Sequence, residues 1–469
     1  MKPAICFHSA EELARSVHKG VHNAADIIET FIQRIEVTNS SLNAYTHLTI
    51  EWAREKARAL DQCRKQGGEP GPLAGVPFAV KNLFDVEGEI TLAGSEINLE
   101  NPAAQQDALL IQRLERAGAI LLGSLNMGEY AYDFTGENAH FGNCHNPWNL
   151  GHMSGGSSSG SGAATAAGIA PISLGSDTNG SIRVPSSLCG IFGLKPTYGC
   201  LPRSGSYPFC DSLDHLGPMA RTTRDLALSF DALQGFDAED HACVDKPKLH
   251  TLDELDKGID NLRIARAGGY FINRDFPQAM AAVERVCDLL DVTEVLDIPG
   301  AEAGRSAAFL ITNMESSSLH LPRLQNRPQD YDPDTRDRFL AGAMLPAAWY
   351  LRAQRVRHWY HQQVLALFEH VDVLIAPATP CTAPRIGEKI LSINGQPQPL
   401  RPNLGYFTQP ISAIGLPVCA VPTIDEESGM PIGVQVIAAP WREDLCLRVA
   451  THLESQGLQA PLPTGIAID

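Results

Sequence analysis

No run of eighteen apolar residues occurs in this chain of 469 residues, and its opening stretch, MKPAICFHSAEELARSVHKG, has no signal-peptide core. Neither a membrane span nor secretion is expected, so the sequence predicts a cytoplasmic protein. Basic residues are in deficit: 37 Lys and Arg stand against 54 Asp and Glu, a net charge of −17. A surface of that sign repels phosphate backbones and anionic lipid, so neither nucleic acid nor a membrane is expected as a partner. The 11 cysteines form no C-x-x-C pair, and the 15 histidines no H-E-x-x-H pattern. These gaps argue against a disulfide framework and against a zinc or other metal centre, and no cofactor motif takes their place. A small-molecule substrate is the partner that remains.

Strand-like and helix-like stretches alternate along the rest of the chain. SAEELARSVHKG opens with Ser9 as a helix cap and Glu12 three positions later, and NAADIIETFIQRIEVTN repeats its apolar residues at helical spacing. GPLAGVPFAVKNLFDVEG reads as turn, buried strand, turn, and DALLIQRLERAGAILLGSLNM as an amphipathic helix followed by a strand. DNLRIARAGG, VDVLIAPATP and GLPVCAVPT look like further buried strands, with helices around 276–291, 303–320 and 345–369. The expectation is one α/β domain over residues 1–469, its mixed, mostly parallel central sheet covered by helices on both faces. Within it, residues 1–65 are expected as N-terminal helices, about 66–225 as the core that carries the chemistry, and 226–469 as the part that binds substrate. The polar run 236–262 reads as a surface excursion.

Residues 140–200 concentrate glycine and serine. In SGGSSSGSGAATAAG, residues 154–168, no lysine follows the glycines as a phosphate-cradling loop requires. Gly156 to Gly160 formally matches G-x-S-x-G around Ser158, but a loop, HNPWNLGHM, precedes it where a nucleophile elbow needs a buried strand. Small residues that let a helix pack closely on a sheet are the plainer reading. Lys81 changes the balance, because it closes the apolar run GVPFAVK, where lysine is scarce unless something holds it. A serine becomes a nucleophile only when a neighbour takes its proton, and a buried lysine that has lost its charge can do so. In SLGSDTNGSIRVP, residues 173–185, either Ser176 or Ser181 is placed to react.

Lys81, Ser157 and Ser181, with the two serines 24 positions apart, resemble the amidase signature family in order and spacing over most of the chain. The resemblance implies Lys81 as general base, Ser157 as a bridging serine on a cis peptide bond and Ser181 as nucleophile, without a cofactor. DTNGS offers consecutive backbone N–H groups at a glycine-bearing turn, so Thr178, Asn179 and Gly180, with the Ser181 N–H, are assigned to an oxyanion hole. Asp177 and Arg183 are expected to brace this loop as a polar pair. Pro185, Gly190 and Gly193 are expected to be structural, and His215 a loop histidine bound to backbone rather than a catalytic base.

Glutamine-hydrolysing subunits of transamidating complexes, one branch of that family, hold the substrate α-carboxylate with an Arg of an R-x-x-x-G segment. They hold its α-amine with an Asp three residues before the Thr of T-x-P. TRDRFLAG keeps the arginine as Arg338, whereas the position three before Thr408 is Gly405. An arginine fork matches a carboxylate, so the resemblance implies a small ureido carboxylate whose terminal amide is cleaved to release ammonia. It also implies a small helical partner subunit, and a homodimer or hetero-oligomer. Glutamine hydrolysis within a transamidating complex is one alternative, and hydrolysis of another small ureido or oxamate-like acid is the other.

Overall fold

The computed structural model describes residues 3–467. Its centre is an eleven-stranded sheet. In chain order the strands are β1 (Tyr45–Leu48), β2 (Pro77–Lys81), β3 (Ile120–Leu125), β4 (Ile172–Asp177), β5 (Phe192–Lys195) and β6 (His215–Ala220). The remainder are β7 (Ile264–Gly268), β8 (Val295–Asp297), β9 (Val373–Pro377), β10 (Val418–Ile424) and β11 (Pro431–Ala438). Across the sheet they run β1-β3-β2-β4-β6-β5-β10-β11-β9-β7-β8. Every residue of β2, β3, β4, β6, β9 and β11 is buried, which requires cover on both faces, and the helices provide it.

The fold is α/β with a mixed sheet. Its parallel pairs form two blocks, β3–β2–β4 and β9–β7–β8. Between the blocks, and at the β1 edge, neighbours pair antiparallel. Connection length accounts for part of this. A parallel neighbour needs a crossover, and the Leu109–Arg116 helix supplies one between β2 and β3; β10 and β11 are joined by a short turn that allows only the antiparallel arrangement.

Local signals are realised where they were strongest. Ser9 and Glu12 form a reciprocal capping box on the Ala10–His18 helix. The helices expected around 276–291, 303–320 and 345–369 are Pro277–Leu289, Ala301–Asn326 and Ala347–Leu367. Residues 236–262 hold only the short 3-10 turn Thr251–Asp253. Among the described residues no helix is long and apolar enough to cross a membrane. All 11 cysteines are free, and most are buried.

Parallel register sets the geometry that matters for chemistry. Val80 pairs with Leu174, so Lys81 at the end of β2 falls beside the last residues of β4. Ligand sites in such sheets form beyond the carboxyl ends of parallel strands. Here that edge receives the loop 178–182 and the start of the Arg183–Cys189 helix.

Candidate active site

Lys81 is fully buried, and its Nζ donates to Ser157 Oγ at 2.6 Å and to Ser176 Oγ at 2.8 Å. Burial pushes its ammonium down to about 7, against the opposing pull of Asp214, Asp177 and Asp133. The peptide bond between Gly156 and Ser157 is cis. The surrounding glycines have no room for a side chain: a Cβ on Gly156 would lie 2.6 Å from Asp133 Oδ2, and one on Gly160 2.4 Å from the Ala44 carbonyl. Ser176 was one of two candidate reacting serines, and its role here is as a second partner of Lys81.

Ser181 lies in the turn after β4 and lines a narrow pocket with Thr178, Asn179, Arg338 and Gln409. Its Oγ has no hydrogen-bond partner among the described residues. Gly180 adopts a φ of +141°, a conformation side chains rarely take, and a Cβ there would meet Thr408 Oγ1 at 2.2 Å. Thr178 Oγ1 is held by Asp214 at 2.6 Å, and the Asn179 carbonyl accepts from Thr408 Oγ1 at 2.7 Å. With both sides of the turn tied down, the backbone N–H groups of residues 178–181 donate to no acceptor among the described residues. Such a row of free donors beside a serine suits a developing oxyanion.

Asp177 and Arg183 are both fully buried, and the arginine grips both carboxylate oxygens at 2.9 Å. Burial raises the Asp177 carboxyl and the Arg183 charge lowers it; the balance leaves it well below the usual carboxylate range. Arg183 also reaches the Thr408 carbonyl at 3.1 Å and Gln435 Oε1 at 2.6 Å. The expected bracing pair is thus a buried junction between β4, the turn and two distant segments. Gly190 caps the Arg183–Cys189 helix in the left-handed conformation, and a Cβ on Gly193 would meet Ser186 Oγ at 2.2 Å.

Arg338, half-buried on the Pro333–Ala343 helix, donates to the Tyr132 carbonyl at 2.9 Å and lies 3.6 Å over the Tyr132 ring. It is therefore a pocket residue and not a solvated helix arginine. His215 is buried with Nδ1 at 2.6 Å from the Leu213 carbonyl and 3.0 Å from that of Asp177, so its ring serves backbone. Ser158 Oγ exchanges 3.2 Å bonds with the Ser176 backbone and is saturated. Among the described residues no group of three or more His, Cys, Asp or Glu could hold a metal ion. Roomier clefts exist, including one of about 520 Å³ beside Trp349 and Leu310, but they contain no serine paired with a buried base.

Tyr132, Phe134, Phe209, Phe309, Thr312, Asn313 and Gln409 also line the pocket and were not singled out from the sequence. They come from four separate stretches and share no motif, so only their convergence marks them.

The family model for amidases matches residues 26–447. The chain belongs to the amidase family. Like other amidases it is a hydrolase acting on amide C–N bonds. One relative, the AtzE component of the 1-carboxybiuret hydrolase of Pseudomonas sp. (strain ADP), is 52% identical over 448 residues, covering 95% of this amidase and 98% of that protein. A glutamyl-tRNA(Gln) amidotransferase component of Moorella thermoacetica is 35% identical over 473 residues, covering 95% and 96%. A solved chain, from a study of a vestigial protein complex and the origins of an s-triazine catabolic enzyme, superposes with a TM-score of 0.95. It is 51% identical and covers 97% of this amidase and all of that chain (100%).

Proposed function

We propose that this amidase hydrolyses the terminal urea-type amide of a small ureido carboxylate such as 1-carboxybiuret, releasing ammonia through an acyl-enzyme on Ser181. The reading is carried by one arrangement: a buried lysine bonded to Ser157 at 2.6 Å, next to a pocket that Ser181 shares with Arg338. Neutral Lys81 draws the proton of Ser181 through Ser157 as Oγ bonds to the amide carbon. The oxyanion rests on the N–H groups of Thr178, Asn179, Gly180 and Ser181. Collapse breaks the C–N bond, and the proton returns along the same path to the departing ammonia. Water then adds to the ester by the same relay, leaving a carboxylate and free Ser181. Arg338 holds the acid group of the substrate.

Glutamine fits this pocket less well. Gly405 offers no carboxylate for an α-ammonium, and a Cβ at that position would lie 2.6 Å from the Phe134 ring. A protein partner belongs to the same proposal, since the similar solved chain comes from a protein complex. The proposal places the enzyme in the cytoplasm.

Two measurements test the reaction. Intact-mass and peptide analysis after fluorophosphonate treatment should place one adduct on Ser181; an adduct on Ser158 or Cys189 would overturn the assignment. Ammonia release over a panel of ureido acids and glutamine should favour the ureido acids.

A further inference from the structure

The polar groups of the pocket divide into those already bonded and those left for a ligand. Asp133, the one carboxylate among the described lining residues, has partners at both oxygens. Oδ1 accepts from Thr135 N at 2.9 Å and faces Arg401 at 3.1 Å, and Oδ2 accepts from Gly136 N at 2.6 Å. Asn313 has a partner at each end of its amide, Oδ1 accepting from the Tyr132 hydroxyl and Nδ2 donating to the Phe309 carbonyl. Two side-chain amides are half used. Asn179 Nδ2 donates to Thr312 Oγ1 at 2.8 Å, which leaves Asn179 Oδ1 buried without a partner on a residue only 7% exposed. Gln409 is the converse. Arg305 can only donate, so its 2.7 Å bond fixes Gln409 Oε1 towards it and leaves Nε2 as a donor with no acceptor among the described residues.

A buried acceptor with no partner is costly, and in a binding pocket it marks where a ligand donor belongs. We propose that Asn179 Oδ1 accepts the internal N–H of a ureido acid and that Gln409 Nε2 donates to an acyl or carboxylate oxygen of the same molecule. Asn179 is then the specificity determinant that separates a ureido acid from an alkyl amide of equal length. A bound α-ammonium finds no free carboxylate here. This rests on the proposed roles of Ser181 and Arg338 and adds to them the recognition of the substrate backbone.

Three commercial acids isolate the contact. Hydantoic acid and succinamic acid differ only by N–H in place of CH2, and asparagine adds an α-ammonium to the latter. Calorimetry on a Ser181→Ala protein should give about tenfold or more tighter binding of hydantoic acid than of succinamic acid, because a site built around a hydrogen bond rejects the analogue that lacks it. Asparagine should bind no better than succinamic acid. Adding Asn179→Ala should bring the ratio of the first two acids to within about twofold, even if both bind more weakly. Adding Gln409→Leu should weaken both by a similar factor, about tenfold, and preserve their ratio. Equal binding of the two acids, or a ratio unchanged by Asn179→Ala, overturns the proposal; should Asn179→Ala fail to fold, the ratio in the Ser181→Ala protein still decides. Residual turnover in Ser181→Ala would instead count against the nucleophile assignment and leave the binding ratio standing.

Discussion

At the scale of single residues, the proposed chemistry rests on two basic side chains whose surroundings determine their behaviour. Lys81 must be neutral to act as base, and burial brings it down to about 7. The kcat/KM profile should therefore rise tenfold per pH unit below about 7 and level off above it, and Lys81→Met should abolish turnover while the far-ultraviolet spectrum stays native. Arg338→Gln should lower kcat/KM for ureido acids by about 10- to 100-fold, the value of a charged hydrogen-bonded contact, and change neutral amides of similar size far less. Equal losses on both substrate classes would make Arg338 structural. Gly405→Asp by itself should not yield a glutaminase, because its Cβ would run into the Phe134 ring at 2.6 Å. Glutaminase assays of that variant with and without Phe134→Ala check the point.

At the scale of elements, the site depends on helices that approach one another closely. The Pro333–Ala343 helix carries Arg338 and packs on the Ala301–Asn326 helix through Gly342, where a Cβ would lie 2.2 Å from the Asn313 carbonyl. The glycine of R-x-x-x-G thus lets the helix that bears Arg338, the proposed anion anchor, settle against its neighbour. Gly342→Val should push the helices apart, cost about 1–3 kcal/mol, and raise KM for acid substrates more than for neutral amides. Thermal unfolding together with paired kinetics would measure both effects. Likewise, the Asp177–Arg183 pair ties the end of β4 to the helix after the Ser181 turn. Arg183→Met leaves a buried carboxylate uncompensated, for which a loss of about 3–5 kcal/mol in a denaturant titration is expected.

At the scale of the whole molecule, stability should depend on pH through two buried amines. Lys195 is fully buried like Lys81, and desolvation, helped by the Arg183 charge, lowers it to about 7. In the unfolded chain both return to about 10.4. Between pH 7 and about 10 these two groups bind more protons in the unfolded state than in the folded one, so their contribution to stability rises with pH across that window; near the ordinary thiol range the buried cysteines, raised by desolvation, contribute with the opposite sign. Below 7 both states are protonated and the contribution is flat. Thermal midpoints should climb from pH 7 to about 8, below the range in which unfolded thiols ionise and the buried ones do not. Lys195→Met should flatten the climb while the midpoint of the activity profile stays near 7, since that one belongs to Lys81.

The sequence by itself singled out the residues of the proposed chemistry: Lys81 closing an apolar run, Ser157 among glycines, and Ser181 after DTNG are each local patterns whose residue types and spacing are visible in one dimension. It also determined most elements, because helical periodicity and the Ser9–Glu12 cap are properties of short stretches. Only the tertiary structure decided who meets whom. Parallel register places Lys81 beside Ser176, a pairing set by contacts 95 residues apart. The antiparallel stretch between the two parallel blocks of the sheet depends on which strands become neighbours, which no local propensity encodes. Thr312 and Phe134 carry no motif at all, and Gln409 is only the unspecified position of T-x-P. Their part in the pocket comes from long-range packing, which leaves Asn179 Oδ1 and Gln409 Nε2 without partners among the described residues, and such a vacancy has no signature in a linear chain.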